Sequence, residues 1–166
     1  MVINSGLDQC RLSGADKIHF VTHSLGGILL RYAHGSDPIP ELGRVVMLGP
    51  PNQGSEVIDL TRNWTITKMF SGDAGLQLGT GPEDIPAQLD PVNFELGVVA
   101  GTGTISPLMS AVLPQQDDGK VTVARTRAIG MTDFLIVPVS HFAIMRNQRV
   151  IDNTTVFLQS GEFLHP

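Results

Sequence analysis

Residues 17–32, KIHFVTHSLGGILLRY, pass from an apolar, β-branched run into a helical repeat across one tight turn at Ser24-Leu25-Gly26-Gly27. The run KIHFVT reads as a buried strand. Leu25, Ile28, Leu29 and Tyr32 then recur with a period near 3.6, which predicts a helix, and Gly35, Pro38 and Pro40 end it. A second apolar run, RVVML at 44–48, follows at once. Strand, helix and second buried strand in succession imply parallel pairing through a crossover and so an α/β layer architecture.

The rest of the chain repeats that alternation. Residues 95–100, ELGVVA, predict a third strand, and residues 133–139, DFLIVPV, a fourth. Ile3, Leu7 and Cys10 share one face of an opening helix over 2–13, with Gly14 as its C-cap. A short apolar helix is expected at about 106–113. A closing helix over 147–159 would present Val150, Ile151, Thr154, Phe157 and Leu158 on one face. Segment 55–94 is irregular and rich in Gly, Pro, Asp and Thr, and it holds Trp64, Met69, Phe70, Leu76 and Leu78. So long a stretch without clear strands reads as a cap or lid. The glycines at 97–103 read as backbone punctuation. The expectation is one α/β domain over 1–166, with about four parallel strands flanked by helices and 55–94 as the cap segment.

Composition bounds the function. A chain of 166 residues buries roughly 70% of its unfolded surface and needs no staples. Its one cysteine, Cys10, leaves no internal disulfide framework. The net charge of −5 and the lack of a Lys/Arg cluster argue against a nucleic-acid partner. No apolar run reaches the ~20 residues of a membrane span, and residues 1–14 show no secretory leader. A cytoplasmic location is therefore the default expectation.

The turn at Ser24 carries the chemistry. A serine between a strand and a helix, with small residues around it, fits a nucleophile elbow, whose sharp bend projects the hydroxyl. Gly26 meets the need for a small residue two positions on, whereas Thr22, two positions before, is bulkier than the usual Gly. The Leu25 N–H, at the start of the helix, can point at a developing oxyanion with support from the helix dipole. Such a serine needs a base. Of the five histidines, His19 should face the core or a helix, His23 should point away from the hydroxyl, His34 lies near a helix end and His165 in a tail. His141 lies just past the fourth strand, at the edge of the sheet where Ser24 also stands and where catalytic groups gather in parallel sheets. The acid should fall between them in chain order. Asp118, in a polar turn before Gly119, is the choice; Asp117 is its immediate rival, and Asp133 and Asp90 are distant ones.

In this order, VTHSLGGILLRYA, RVVMLGPPNQGSE, LGVVAGTG, DDGKVTVART and VPVSHFAIM resemble the C-terminal two-thirds of a bacterial lipase/esterase of the α/β-hydrolase superfamily. The resemblance covers nearly the whole chain, and HSLGG and the DG…SH segments are its specific parts. It implies Ser24 as nucleophile, Asp118 as acid, His141 as base, a carboxylic ester or lipid as substrate, and no cofactor or metal. The segment PPNQGS resembles one that lies near the site mouth in such enzymes. This makes Asn52 and Gln53 candidate substrate contacts and, with a neighbouring subunit, candidate sources of a second oxyanion donor. The departure is at the start. Such proteins normally open with further strands, one ending in a His-Gly turn that supplies that donor, so the resemblance implies a truncated fold. Lacking one donor costs about 10²–10³ in rate.

Two functions follow as expectations. One is an active carboxylesterase favouring short acyl chains. The other is a non-catalytic or half-enzyme fragment completed by a partner; an acyltransferase running the same chemistry ranks below both. In either case the open side of the first strand predicts a homo-oligomer.

Overall fold

The computed structural model describes residues 2–61, 75–103 and 116–165. Four strands, β1 (Ile18–His23), β2 (Leu42–Leu48), β3 (Leu96–Gly101) and β4 (Asp133–Val137), form one parallel sheet in the order β1-β2-β3-β4. Among the described residues the helices around them are α1 (Val2–Leu12), α2 (Leu25–Ser36), α3 (Glu56–Thr61), α4 (Ile85–Gln88), α5 (Val123–Thr126) and α6 (Gln148–Ser160). A single turn of 3-10 helix at Ile144–Arg146 precedes α6.

Side chains alternate along a strand, so β2 and β3 each feed two cores. Val45, Met47, Leu96 and Val98 pack with Leu7 of α1, Leu30 of α2, Ile18 and Ile39 on one face. Val46, Leu48, Val99, Leu135 and Val137 pack with Ile144, Val150, Phe157 and Phe163 on the other. Parallel sheets need both faces covered, and the near-continuous apolar runs of β2 and β3 reflect that. Strands added in one direction with right-handed crossovers place their helices on one face. Coverage of the other face falls to α6. Asn147 caps that helix by accepting the Val150 N–H, and Gly161, at φ 88, ends it with its N–H donated to Phe157 O. Gly97 stands where a Cβ would come within 2.8 Å of the Phe157 ring and 2.6 Å of Phe163. It is thus a packing position and not mere punctuation.

The α/β architecture and the four strands agree with the sequence reading, but several faces differ. On α2 the buried residues are Gly27, Ile28, Leu30 and Arg31, while Leu29 and Tyr32 are exposed. Arg31 turns inward because its guanidinium finds oxygens there: Asn52 Oδ1 at 3.0 Å and Asp90 O at 2.9 Å, with Asn52 O and Leu89 O at the edge of hydrogen-bond range. A buried charge is tolerated only when bonded in this way. On α6 Ile151 is exposed, and Asn153 takes the buried place instead, bonded to Arg149 O and to the Leu164 N–H. His19 is exposed, not in the core. Its Nδ1 accepts the Arg44 N–H at 2.8 Å where the β1–β2 register shifts.

Of the expected cap segment 55–94, the described parts carry α3, α4 and a buried Leu78. The Thr80 hydroxyl and N–H are tied there to the Asp59 carboxylate. Trp64, Met69 and Phe70 lie outside the described residues, as does the helix expected at about 106–113. Among the described residues no helix is long and apolar enough to cross a membrane.

Phe157 is fully buried between the sheet and Phe163. Phe157→Ala should cost about 3–5 kcal/mol, read as a lower urea midpoint with an unchanged m-value. A loss below 1 kcal/mol would mean that α6 does not close this face.

Candidate active site

Three loops leave the carboxyl edge of the sheet and meet. The first is the turn after β1. Ser24 has φ 52 and ψ −123, and it is the one described non-glycine residue with positive φ. Such a conformation costs of order 1–3 kcal/mol and persists only where the surroundings impose it. Here the Ser24 N–H donates to Leu48 O at 2.9 Å, which locks the turn to β2. The helix starts at once: the Gly27 N–H donates back to Ser24 O at 3.1 Å, and the Leu25 N–H stands at the helix N-terminus, ahead of its repeating bonds. Although Ser24 is the N-cap, its hydroxyl makes no capping bond. Thr22 fits at the position where Gly was expected because glycines face it. A Cβ on Gly26 would stand 3.5 Å from Thr22 Cβ, and one on Gly27 would stand 3.3 Å from Thr22 Oγ1.

The second loop follows β3 and carries Asp117 and Asp118. Gly119, at φ 97, turns it back sharply. The two carboxylates then diverge. Asp117 Oδ1 accepts the Gly119 N–H at 2.7 Å. Asp118 Oδ1 accepts the Lys120 and Val121 N–H groups at 3.0 and 2.9 Å, leaving Oδ2 for the third loop. That loop follows β4, and its His141 Nδ1 lies 2.8 Å from Asp118 Oδ2, both side chains almost fully buried. A second bond joins the same two residues through the backbone, His141 N–H to Asp118 O at 2.9 Å. A carboxylate can only accept, so His141 Nδ1 carries a proton, and in the neutral ring Nε2 is the nitrogen with the lone pair.

Glycine makes room for the pair. Gly49, at φ 54 after β2, lies where a Cβ would be 3.0 Å from Asp118 Oδ2 and 3.2 Å from His141 Nδ1. A Cβ on Gly101 would come 2.8 Å from Asp118 Cβ. Outside the pair, Phe142 is 58% exposed and meets the His141 ring edge-on at 5.8 Å, with the Lys120 ammonium 5.1 Å from its centroid.

The structure therefore brings Asp118 to His141 and gives Ser24 the backbone of an elbow at the same edge of the sheet. Asp133 lies elsewhere, bonded to the Phe163 N–H and the His165 ring, and Asp90 lends its carbonyl to Arg31. His34 Nδ1 accepts the Ile39 N–H. Asn52 and Gln53 are committed to the scaffold. The Asn52 amide donates to Thr126 O at 2.8 Å and accepts from Arg31, and the Gln53 amide donates to Arg127 O. Neither side chain is assigned to a substrate.

The sequence reading missed His23. Its Nε2 lies 3.0 Å from the His141 carbonyl oxygen, and the two rings are 4.7 Å apart at 47°. Burial first, then the neighbouring His141 ring, hold its imidazole below the ordinary value near 6.5. Only its adjacency to Ser24 hinted at this place. Among the described residues there is no cluster of three or more His, Cys, Asp or Glu placed to hold a metal.

No protein-family model and no curated protein matches the chain. Solved structures do. The mature lipase BlEst2 of Bacillus licheniformis superposes with a TM-score of 0.77 at 22% identity, over 96% of this chain and 71% of that one. Its propeptide form gives 0.73 at 21%, over 99% and 40%. The phospholipase PlaB of Legionella pneumophila, in complex with thio-NAD, gives 0.69 at 19%, over 93% and 43%. The chain thus spans less than half the length of the latter two. At such identities the likeness shows the fold alone: the parallel α/β architecture of those structures.

Gly49→Ala forces a Cβ against the Asp118–His141 pair at a backbone angle that L-residues adopt at a cost of about 1–2 kcal/mol. The variant should lose at least that stability by thermal melting. Its His141 Nδ1–H resonance should broaden or move upfield. An unchanged melt and resonance would contradict the packing described here.

Proposed function

We propose that the protein is a carboxylic ester hydrolase acting through an acyl-enzyme on Ser24, with His141 as base and Asp118 as acid. One observation carries this reading: a serine held at positive φ on an elbow, at the same sheet edge as a buried histidine whose Nδ1 faces a carboxylate. The fold shared with proteins called lipase and phospholipase supports it.

The chemistry follows from the tautomer. His141 Nε2 takes the proton as Ser24 Oγ bonds to the ester carbonyl carbon, and Asp118 stabilises the imidazolium that forms. The Leu25 N–H faces the developing oxyanion. The imidazolium gives its proton to the leaving oxygen, the C–O bond breaks and the alcohol departs. Water then attacks the acyl-enzyme while His141 takes its proton, and that proton returns to Ser24 Oγ as the carboxylic acid leaves. Short acyl chains are favoured in this reading. The described rim beside His141 is one exposed ring, Phe142, next to an ammonium, Lys120.

Pure protein should hydrolyse p-nitrophenyl acetate and butyrate. Ser24→Ala should reduce kcat at least 10³-fold, and Asp118→Asn about 10⁴-fold with little change in KM. Equal rates for wild type and Ser24→Ala would refute the assignment. The half-enzyme alternative predicts no hydrolysis until a complementary fragment is added, and fluorophosphonate labelling of Ser24 in the isolated chain excludes it.

The reading includes self-association through β1. Among the described residues β1 pairs only with β2, and Val21 on it is 51% exposed. Open strand edges are ordinarily paired or covered. Light scattering at micromolar concentration should report a dimer or larger species, and a monomer would overturn this part.

A further inference from the structure

We infer that His23 is a positioning residue, whose ring holds the His141 backbone carbonyl and so fixes the base loop to the strand that carries Ser24. This rests on the serine-hydrolase reading above. The need for such a tie is geometric. Ser24 follows β1 and His141 follows β4, the two outer strands of the described sheet. Adjacent strands lie about 4.8 Å apart, so the β4 loop must bridge three spacings, about 14 Å, to bring an imidazole to the elbow. Its anchor toward the middle of the sheet is Asp118, through the carboxylate and the backbone carbonyl. Its anchor on the β1 side, among the described hydrogen bonds, is His23 Nε2 to His141 O at 3.0 Å.

The contact defines a tautomer. A carbonyl only accepts, so His23 carries its proton on Nε2. His141 N–H and C=O are then both bonded, to Asp118 and to His23, and the peptide units flanking its side chain cannot swing without breaking one of them. The two rings also pack against each other, 4.7 Å apart and tilted by 47°. His141, Asp118 and Lys120 are the titratable groups around His23. Burial and the His141 ring keep it neutral at pH 7, so no second positive charge opposes the imidazolium formed at His141 during the reaction.

The test combines histidine NMR with kinetics. In ¹⁵N-labelled wild type at pH 7, His23 should be the Nε2–H tautomer; an Nδ1–H tautomer overturns the inference without any variant. His23→Phe removes the donor and keeps a ring. It should lower kcat for p-nitrophenyl acetate about 10- to 100-fold, with KM within about 2-fold, and should speed exchange of the His141 Nδ1 proton. His23→Gln places an amide N–H near the position of Nε2 and should recover kcat to within about 3-fold of wild type. Wild-type kcat and proton exchange in His23→Phe, or a His23→Gln as impaired as His23→Phe, would overturn it. If His23→Phe does not fold, the wild-type tautomer and His23→Gln still decide. A Ser24→Ala variant as active as wild type sinks the hydrolase reading instead, and it leaves the NMR arms to judge whether His23 holds the loop.

Discussion

The doubled bond between Asp118 and His141 is the constraint around which this sheet edge is built. One bond runs through side chains and one through backbone, so the ring is fixed in position and in tautomer together. The β3 and β4 loops are thereby joined at one point. Much nearby sequence follows from that need. Gly49 and Gly101 lack side chains because the pair occupies the space. Gly119 turns the chain so that two N–H groups reach Asp118 Oδ1 and leave Oδ2 for the ring. Three glycines, one after β2, one ending β3 and one in the loop beyond it, thus serve one hydrogen bond.

The elbow imposes a different kind of constraint, one of strain. Ser24 adopts an unfavourable backbone angle, and the energy to hold it comes from β1 pairing with β2 and from α2 lying flat on the core. Leu48 O receives the Ser24 N–H, and Ile28 and Leu30 are almost fully buried. A local cost of about 1–3 kcal/mol is small against the burial of two such side chains at about 1.5–3 kcal/mol each. Strand, turn and helix therefore form one mechanical unit.

Much of this was legible in the sequence, for identifiable reasons. Apolar, β-branched runs mark the strands, so β1 to β4 could be placed to within a few residues, although β1 is an edge strand with Val21 51% exposed and not the buried strand that its run suggested. The turn at Ser24 is marked by a switch of period and by two glycines. Its place just past the fourth strand selected His141, chain order put the acid before it, and the turn before Gly119 favoured Asp118 over Asp117 without excluding the latter; in the structure that turn sends the two carboxylates to different partners. What could not be read depended on partners distant in sequence. His19, Arg31 and His23 each bond a backbone carbonyl or N–H at least 21 residues away, and backbone groups leave no trace in residue identity. The same holds for Asn52, whose amide looked available to a substrate and is instead committed to Thr126 and Arg31.

The Arg31 arrangement has a consequence for how the molecule responds to its medium. Its oxygens are three backbone carbonyls and one amide, and none of them titrates. The surface pairs Arg11–Glu41, Arg44–Glu95 and Arg125–Glu56 weaken with added salt and dissolve once their carboxylates are protonated. The hydrogen bonds that seat α2 do not titrate, and only the charge of the nearby Asp90 carboxylate adds such a dependence. In acid or brine the outer pairs slacken first, while the helix behind the serine keeps its footing on the sheet.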